Sequence, residues 1–507
     1  MNLASVIESH PDGNPALISR GKVTTYGQLR VSAGELRGGL IEAGIEPGDR
    51  VAILSANNWF FVISYLAVLG AGAIAVPLNP ASPTAELSAQ LREVTAKAAI
   101  VGPSSRAAAE GVDRAALGVD VLIATESLMA NGSAQWAGAI PLESLFGRPP
   151  APIVPRDDSD LAALLFTAGT AGAPKAAMLS HGNLLANIGQ VQNHPGRALT
   201  SSDVGLGVLP MHHIFGLNVV LGLSLAAGAS VVLVERFDAS SALETIANHK
   251  VTIVAGAPPM YTAWMALPVE SVDPDAMKTV RIAVSGAAAL GSSVMSAFHQ
   301  RFGVSIFEGY GLTEASPTVT SSVAGGTAKP GSIGVPLSGV EVRLVDAEGD
   351  DAYAGDPGEI WVRGPNVFHG YWKQPAATAA ALTDDGWLRT GDIAVVDDDG
   401  WLFIVDRAKD LINVSGFNVF PAEVEEALRA YPGIAEVAIV GVPHPHTGEG
   451  VKAYVVPAPG QHLEEDELIE FCAGRLARYK CPSKVMFVDE LPRSAGTGKL
   501  LRRALRS

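Results

Sequence analysis

Residues 166–181, Phe-Thr-Ala-Gly-Thr-Ala-Gly-Ala-Pro-Lys-Ala-Ala-Met-Leu-Ser-His, concentrate groups able to grip a polyphosphate. Gly169 and Gly172 permit positive φ and close main-chain approach, so successive backbone N–H groups can turn toward one anion. Thr167 and Thr170 add hydroxyl donors and Lys175 a point charge, while Ala168 and Ala171 add no polar group. The spacing is not that of a Walker loop. Lys175 follows Ala173-Pro174 rather than Gly, and Ala176 stands where a magnesium-binding Ser or Thr would be. A plain glycine loop joining a strand to a helix is the competing reading.

Such a loop needs a rigid strand behind it, and the apolar run over 161–166 predicts a buried one. From the start to about Asp406, strand-length apolar runs such as 50–54, 98–101, 251–255 and 279–284 alternate with helical stretches. That alternation predicts layered α/β structure with largely parallel sheets. Over 331–371 the pattern changes to short strands and turns, as in 340–345 and 358–363, which predicts a β-rich subdomain. After Lys409 come a helix opened by Pro421, strands over 435–442 and 451–456, a helix over about 464–477 and a strand over 485–488. The expected class is α/β: a large N-terminal domain of layered α/β subdomains plus a β-rich subdomain, then a small C-terminal α+β domain. The division falls at 1–408 and 409–507. No Gly/Ser tether separates the two, so the join is a short hinge.

Composition narrows the partners. A chain of 507 residues needs more than one core, and a net charge of −16 excludes nucleic acid, whose binding requires a basic face. The only cysteines, Cys472 and Cys481, have no His or Cys at metal-ligand spacing and suit a reducing cytoplasm. Residues 1–10 lack the basic start and apolar segment of a signal peptide. Two long uncharged runs, 59–78 and 216–234, have the length of membrane spans. Each breaks at Gly and continues in β-favouring residues, so each reads as a buried helix, a glycine cap and a buried strand. Peripheral membrane contact stays open, as does the choice between monomer and homodimer.

Further motifs follow in order: Glu308-Gly309-Tyr310-Gly311-Leu312-Thr313-Glu314, Trp387-Leu388-Arg389-Thr390-Gly391-Asp392, Asp406-Arg407-Ala408-Lys409-Asp410, Ser415-Gly416-Phe417-Asn418-Val419-Phe420-Pro421-Ala422-Glu423 and Gly498-Lys499-Leu500. Singly, each has a plain reading: Tyr310 as core, Asp392 as a turn former, Lys499 as a solvated tail charge. Together with the loop at 166–181 they resemble the adenylate-forming superfamily of acyl-CoA synthetases, nonribosomal adenylation domains and beetle luciferases. The resemblance spans essentially the whole chain, and the stretch 414–421 is most similar to bacterial long-chain fatty acid CoA ligases.

The resemblance implies ATP as substrate, with Thr167, Ala168, Gly169, Thr170, Ala171, Gly172 and Lys175 around the β- and γ-phosphates. Tyr310 is expected against the adenine, with Gly286, Ala287, Ala288, Glu308, Gly309 and Gly311 in the same nucleotide site. Thr313 would bond the α-phosphate or the acyl carbonyl, and Glu314 would hold Mg2+, a hard cation that prefers carboxylate oxygen. Asp392 would accept from the ribose hydroxyls with Arg407 beside it. Lys499 would offset charge where two anions meet. The implied reaction has two steps: a small-molecule carboxylic acid attacks the α-phosphorus, giving an acyl adenylate and pyrophosphate, and the thiol of CoA then displaces AMP. Family members place the C-terminal domain in two orientations, which implies that it is mobile here, with Lys409 the hinge candidate. Ser415, Gly416 and Phe417 would line the thiol channel.

Departures from the pattern also carry information. Ala168, Ala171 and Ala176 stand where the family loop commonly has Ser, Thr and Gly, so ATP grip leans on backbone and the remaining threonines. Asn413 and Ser415 replace lysines of many relatives, which counts against light production. The segments matching the family's acid pocket, 212–217, 255–261, 285–290 and 309–317, contain no Arg or Lys. A second carboxylate would lack a counter-charge, so an apolar acid is expected, a medium- or long-chain fatty acid first. His213 matches a position that lines or gates the acid site; a structural histidine is the alternative. The stretch 237–240 is expected to cap a helix through Asp238 or Ser240, rather than to bind an amine as in adenylation domains. Other readings are a fatty acyl-AMP ligase serving a carrier protein, a 4-coumarate-type aryl acid CoA ligase and a silent nucleotide-binding relative.

Overall fold

The computed structural model describes residues 1–105, 109–130, 138–167, 175–193, 198–407, 410–414, 417–444, 448–493 and 500–506. Two compact units emerge: Met1–Glu341 with Val362–Leu388, and Val342–Trp361 with Arg389–Ser507.

The first unit holds two sheets. One runs in the order Ile140–Pro141, Val121–Ala124, Ala98–Val101, Arg50–Leu54, Ile74–Leu78, Leu161–Thr167 and Lys175–Ser180. Its neighbours are parallel until the last pair, which is an antiparallel hairpin. The central strand Ile74–Leu78 is buried at every residue, as a parallel strand covered on both faces must be, hence its unbroken apolar sequence.

The other sheet runs Val335–Pro336, Thr318–Ser321, Ile306–Gly311, Ile282–Ser285, Ile253–Gly256, Val204–Gly207, Ser230–Leu233, Pro15–Ser19 and Lys22–Thr25, parallel in its middle and antiparallel at both ends. Two strands begin later than the apolar runs suggest, at Ile253 and Ile282. The residues ahead of them are engaged in polar work at the sheet's entry. Thr252 Oγ1 donates to Asp203 Oδ1 at 2.7 Å and Arg281 Nε to the same oxygen at 2.8 Å. Burial opposes the charge on Asp203, yet these bonds and one from the Thr200 N–H bring its pKa down to about 2.

The two long apolar runs resolve as expected. Trp59–Gly70 is a helix capped by Asn58, whose side chain accepts from Phe61 N; Gly72 turns at φ +76 and the chain enters Ile74–Leu78. In the second run Gly228 turns at φ +72 into Ser230–Leu233. The helix before it opens with a wide π-helical stretch, Phe215–Gly222, and only then becomes α over Leu223–Ala226. A local cause is visible. Asn218 Nδ2 reaches out of the helix to Ser316 O at 2.8 Å and Leu184 O at 3.2 Å. Gly222 makes room, since a Cβ there would fall 2.8 Å from Asn218 Oδ1. No described helix is long and apolar enough to cross a membrane. Asp238 caps Ala239–His249, accepting from Ser241 N at 2.9 Å, so 237–240 is the helix start it was expected to be.

The second unit holds most of a four-stranded sheet, Glu341–Val345, Gly358–Arg363, Leu388–Val396 and Leu402–Arg407, of which Glu341, Val362, Arg363 and Leu388 fall in the first unit. It also holds a five-stranded sheet in which Gly448–Pro457 pairs with Ile434–His444, Ile412–Val414 and Lys484–Phe487. Helices Pro421–Arg429 and Glu465–Ala473 cover that sheet through Val424, Leu428, Leu468 and Cys472. The second helix ends at Ala473, four residues short of the sequence expectation, with Gly474 as its C-cap. Both cysteines are free thiols. The expected class, α/β layers with a β-rich part and a small α+β part, is the observed one.

Candidate active site

Thr167 and Lys175 face each other across the neck of the glycine-rich loop, as the last and first residues of the hairpin strands. Residues Ala168, Gly169, Thr170, Ala171 and Gly172 lie outside the described residues. The loop therefore joins strand to strand, not strand to helix. The helix His181–Gln192 follows the second strand directly, with Ser180 and Asn183 forming a capping box. A further segment lies along the strand Lys175–Ser180. His369 N donates to Met178 O, Met178 N to Gly370 O and Trp372 N to Ala176 O, at 2.8–3.0 Å. Gly370 makes this approach at φ +111, where a Cβ would sit 2.4 Å from Thr378.

That backbone register delivers Tyr371 to the site. Its hydroxyl donates to Glu314 Oε1 at 2.8 Å, and Lys175 Nζ stands 4.9 Å from its ring centroid. Phe368 N also donates to Glu314 O at 2.9 Å. Burial pushes the Tyr371 phenol well above its ordinary pKa, and the Glu314 charge and hydrogen bond push the same way, so it remains a donor. Sequence reasoning missed Tyr371. The signal is Tyr371-Trp372 after Gly370, and it gains chemical meaning only through pairing with residues almost two hundred positions earlier.

Strand Ile306–Gly311 raises Glu308, Gly309, Tyr310 and Gly311 to one end of its sheet, and the 3-10 turn Thr313–Ala315 then presents Thr313 and Glu314. Gly311 passes so close to Pro317 that a Cβ would meet its carbonyl at 2.1 Å; at Gly309 the nearest atom would be Thr320 O at 3.1 Å. Tyr310 is half-buried, between core and surface. Glu308 is buried, and its Oε1 accepts from Leu290 N at 3.1 Å. Burial raises its pKa against the opposing backbone N–H groups of Leu290 and Gly331. In the structure Glu308 braces the turn after Ser285. That turn exposes Ala287, at φ +70, and Ala288, while Gly286 packs under Phe215, whose Cε1 would lie 3.0 Å from a Cβ. Backbone strain at a non-glycine residue such as Ala287 recurs at ligand-contacting turns.

His213 lies on the turn before the π-helix. Asn57 fixes that turn: Nδ2 donates to Gly207 O at 3.0 Å and Leu209 O at 2.7 Å, and Oδ1 accepts from Met211 N at 3.0 Å. The rings of His212 and His213 are 4.6 Å apart. Burial lowers both pKa values, His212 to about 3 with the neighbouring His213 contributing, so both imidazoles are neutral near pH 7. Among the described residues His212 Nε2 has no hydrogen-bond partner. Tyr261 is wholly buried, donating to Val284 O at 2.8 Å and packing edge-on against Trp264 and Phe298.

In the second unit Asp392 is buried within Leu388–Val396, in register with Arg407 on the neighbouring strand. It is a strand residue, not a turn former. Lys409, Ser415, Gly416 and Lys499 lie outside the described residues, and Phe417 is placed by its strand alone. The flanks of these residues are tied together. Asp410 pairs with Arg506 at 3.0 Å and Arg502 at 3.8 Å, and Arg502 pairs with Glu425 at 2.6 Å.

Family models place the chain. The model for AMP-binding enzymes matches residues 3–372, and that for the AMP-binding enzyme C-terminal domain matches 423–499. A feruloyl-CoA synthase from an Amycolatopsis species is 38% identical over 488 residues, 96% of this chain and 94% of its own. A long-chain fatty acid CoA ligase from Bacillus subtilis (strain 168) is 35% identical over 510 residues, 96% of this chain and 90% of its own. The crystal structure of ATP-bound MatB from Rhodopseudomonas palustris matches with a TM-score of 0.89 at 33% identity, covering 100% of this chain and 98% of that one. With the hairpin, the Glu314 turn and both family models in agreement, the chain belongs to the AMP-binding enzyme family of adenylate-forming ligases.

Proposed function

We propose that the protein is a cytoplasmic AMP-forming ligase that joins an apolar carboxylic acid to CoA through an acyl adenylate. The observation that carries this reading is the meeting of Lys175, Tyr371 and Glu314 beside the glycine-rich loop. A cation and a carboxylate set about one ring apart suit a polyphosphate with its counter-cation. Thr167, Thr170 and Lys175 hold the β- and γ-phosphates, and Thr313 steadies the α-phosphate as the acid's oxygen attacks in line. Asp392 takes the ribose hydroxyls and Lys499 offsets the meeting of two anions. The residues fit magnesium on one condition. Among the described residues no three His, Cys, Asp or Glu gather to hold a metal, so Glu314 would share the ion with phosphate oxygens and water, as is usual for Mg2+. When bound, the ion supplies charge neutralisation on the departing pyrophosphate. The lid 409–507, hinged at Lys409, then presents Ser415, Gly416 and Phe417 to the thiol.

The acid has two readings. A medium- or long-chain fatty acid follows from the motif at 414–421 and from the similarity to the Bacillus subtilis ligase. A hydroxycinnamate-type aryl acid is favoured by the similarity to feruloyl-CoA synthase. Neutral His212 and His213 suit either apolar tail. Acid-dependent pyrophosphate release over ferulate, 4-coumarate, octanoate and palmitate, each with CoA, tests this. An aryl preference supports the second reading, a palmitate preference the first, and no release with any acid contradicts both.

A further inference from the structure

We propose that Tyr371 is a positioning residue that couples the phosphate-side lysine to the metal-side carboxylate, its ring carrying the Lys175 ammonium and its hydroxyl fixing Glu314. The inference rests on the nucleotide site read above and adds to it a residue outside the motifs that identified that site. Three features support it. The contacts are simultaneous: the 4.9 Å cation–ring contact and the 2.8 Å hydrogen bond belong to one side chain. The segment bearing it is held in register along Lys175–Ser180 by three backbone hydrogen bonds, so ring and ammonium share one framework. Its other end is bonded to the Glu314 turn through Phe368 N, so the carboxylate belongs to the same framework.

The arrangement answers a physical problem. A lysine on a hairpin edge has four rotatable bonds, and an aromatic face at this distance limits where its ammonium dwells without neutralising it. A carboxylate meant for a metal must hold one orientation, yet a counter-cation would compete for its charge. A neutral phenol orients it without adding a positive charge. A purely structural tyrosine would fasten the segment 369–372 and nothing more.

Two substitutions separate the functions. Tyr371→Phe keeps the ring and removes the hydroxyl; Tyr371→Leu removes both. Calorimetric ATP binding without metal, and the Mg2+ concentration giving half-maximal tightening of that binding, provide readouts independent of turnover. Tyr371→Phe is expected to bind metal-free ATP within about twofold of the unsubstituted protein but to need about fivefold to tenfold more Mg2+, the scale of one hydrogen bond to a charged group. Tyr371→Leu is expected to need that extra Mg2+ and also to bind metal-free ATP about fivefold more weakly. An unchanged Mg2+ requirement in Tyr371→Phe, or unchanged ATP affinity in Tyr371→Leu, overturns the coupling. Lys175→Ala and Glu314→Gln serve as references in the same assay. If they weaken ATP and Mg2+ binding while the Tyr371 variants do not, the coupling alone fails; if they change nothing, the nucleotide site fails with it.

Discussion

If His213 lines the acid site as proposed, the neutral imidazoles of His212 and His213 make acid recognition a shape-and-dipole problem rather than a charge problem. Burial lowers both pKa values from the ordinary histidine value, His212 to about 3. The pH profile of kcat/KM for the acid should therefore show no inflection from His212 between pH 6 and 8. His213→Ala should raise KM for the acid about tenfold and leave KM for ATP within twofold, which steady-state kinetics over both substrates would establish. Lys175→Ala should show the opposite split, with KM for ATP raised about tenfold or more, because a desolvated contact to phosphate is lost. At this scale the sequence was most legible where a residue type is chemically unambiguous. Lys175, Glu314 and Asp392 could be singled out from their motifs, and Asp238 from its place before a helix. Glu308 and Tyr371 were not legible in the same way. A carboxylate that braces Leu290 N and a tyrosine that reaches Glu314 acquire their partners only through strand register.

Elements place these residues through a small number of buried amides. Asn57, from the first sheet's side, makes three hydrogen bonds to the turn that carries His212 and His213. Asn218 lashes the π-helical stretch to Ser316 and Leu184. Asn57→Ala should cost roughly 1–3 kcal/mol of stability, since Gly207 O, Leu209 O and Met211 N would be left without this partner. It should also raise KM for the acid more than KM for ATP; chemical denaturation together with kinetics would check both. The helix, glycine turn and strand units at 59–78 and 216–234 could be anticipated because glycine and β-branched residues punctuate them. The π-helical opening could not, because apolar periodicity does not report an amide that leaves the helix to bond elsewhere. The strand starts at Ile253 and Ile282 were displaced for a related reason. Asp203 recruits Thr252 and Arg281, an arrangement that is nonlocal and polar.

At the scale of the molecule, alternation of apolar runs with helices was enough to indicate parallel α/β layers and a small α+β part, since each sheet type leaves its own burial pattern. The order in which strands pair was not readable, because it depends on crossovers spanning much of the chain. Stability should depend on pH through His181, which is fully buried and accepts from Leu3 N through Nδ1 at 3.0 Å. Burial, with Arg156 adding, lowers its pKa to about 4. The unfolded chain then binds a proton near pH 6.5 that the folded protein refuses, so stability is fully present above about pH 6.5 and falls as pH drops toward 4. The loss should be on the order of 3 kcal/mol, and melting curves across that window should be flatter for His181→Asn. The two-step reaction is also a property of the whole chain. Lys499→Ala should abolish adenylate formation and spare thioester formation from supplied acyl adenylate, whereas equal loss of both steps would remove Lys499 from the first. The central claim, cleavage of ATP at the α-phosphate to drive an acid onto a thiol, is tested most directly by the products of turnover with ATP, Mg2+, CoA and an apolar acid. The account predicts AMP, pyrophosphate and acyl-CoA in equal amounts, all dependent on the acid; ADP with phosphate, or AMP without an acyl-CoA, would contradict it.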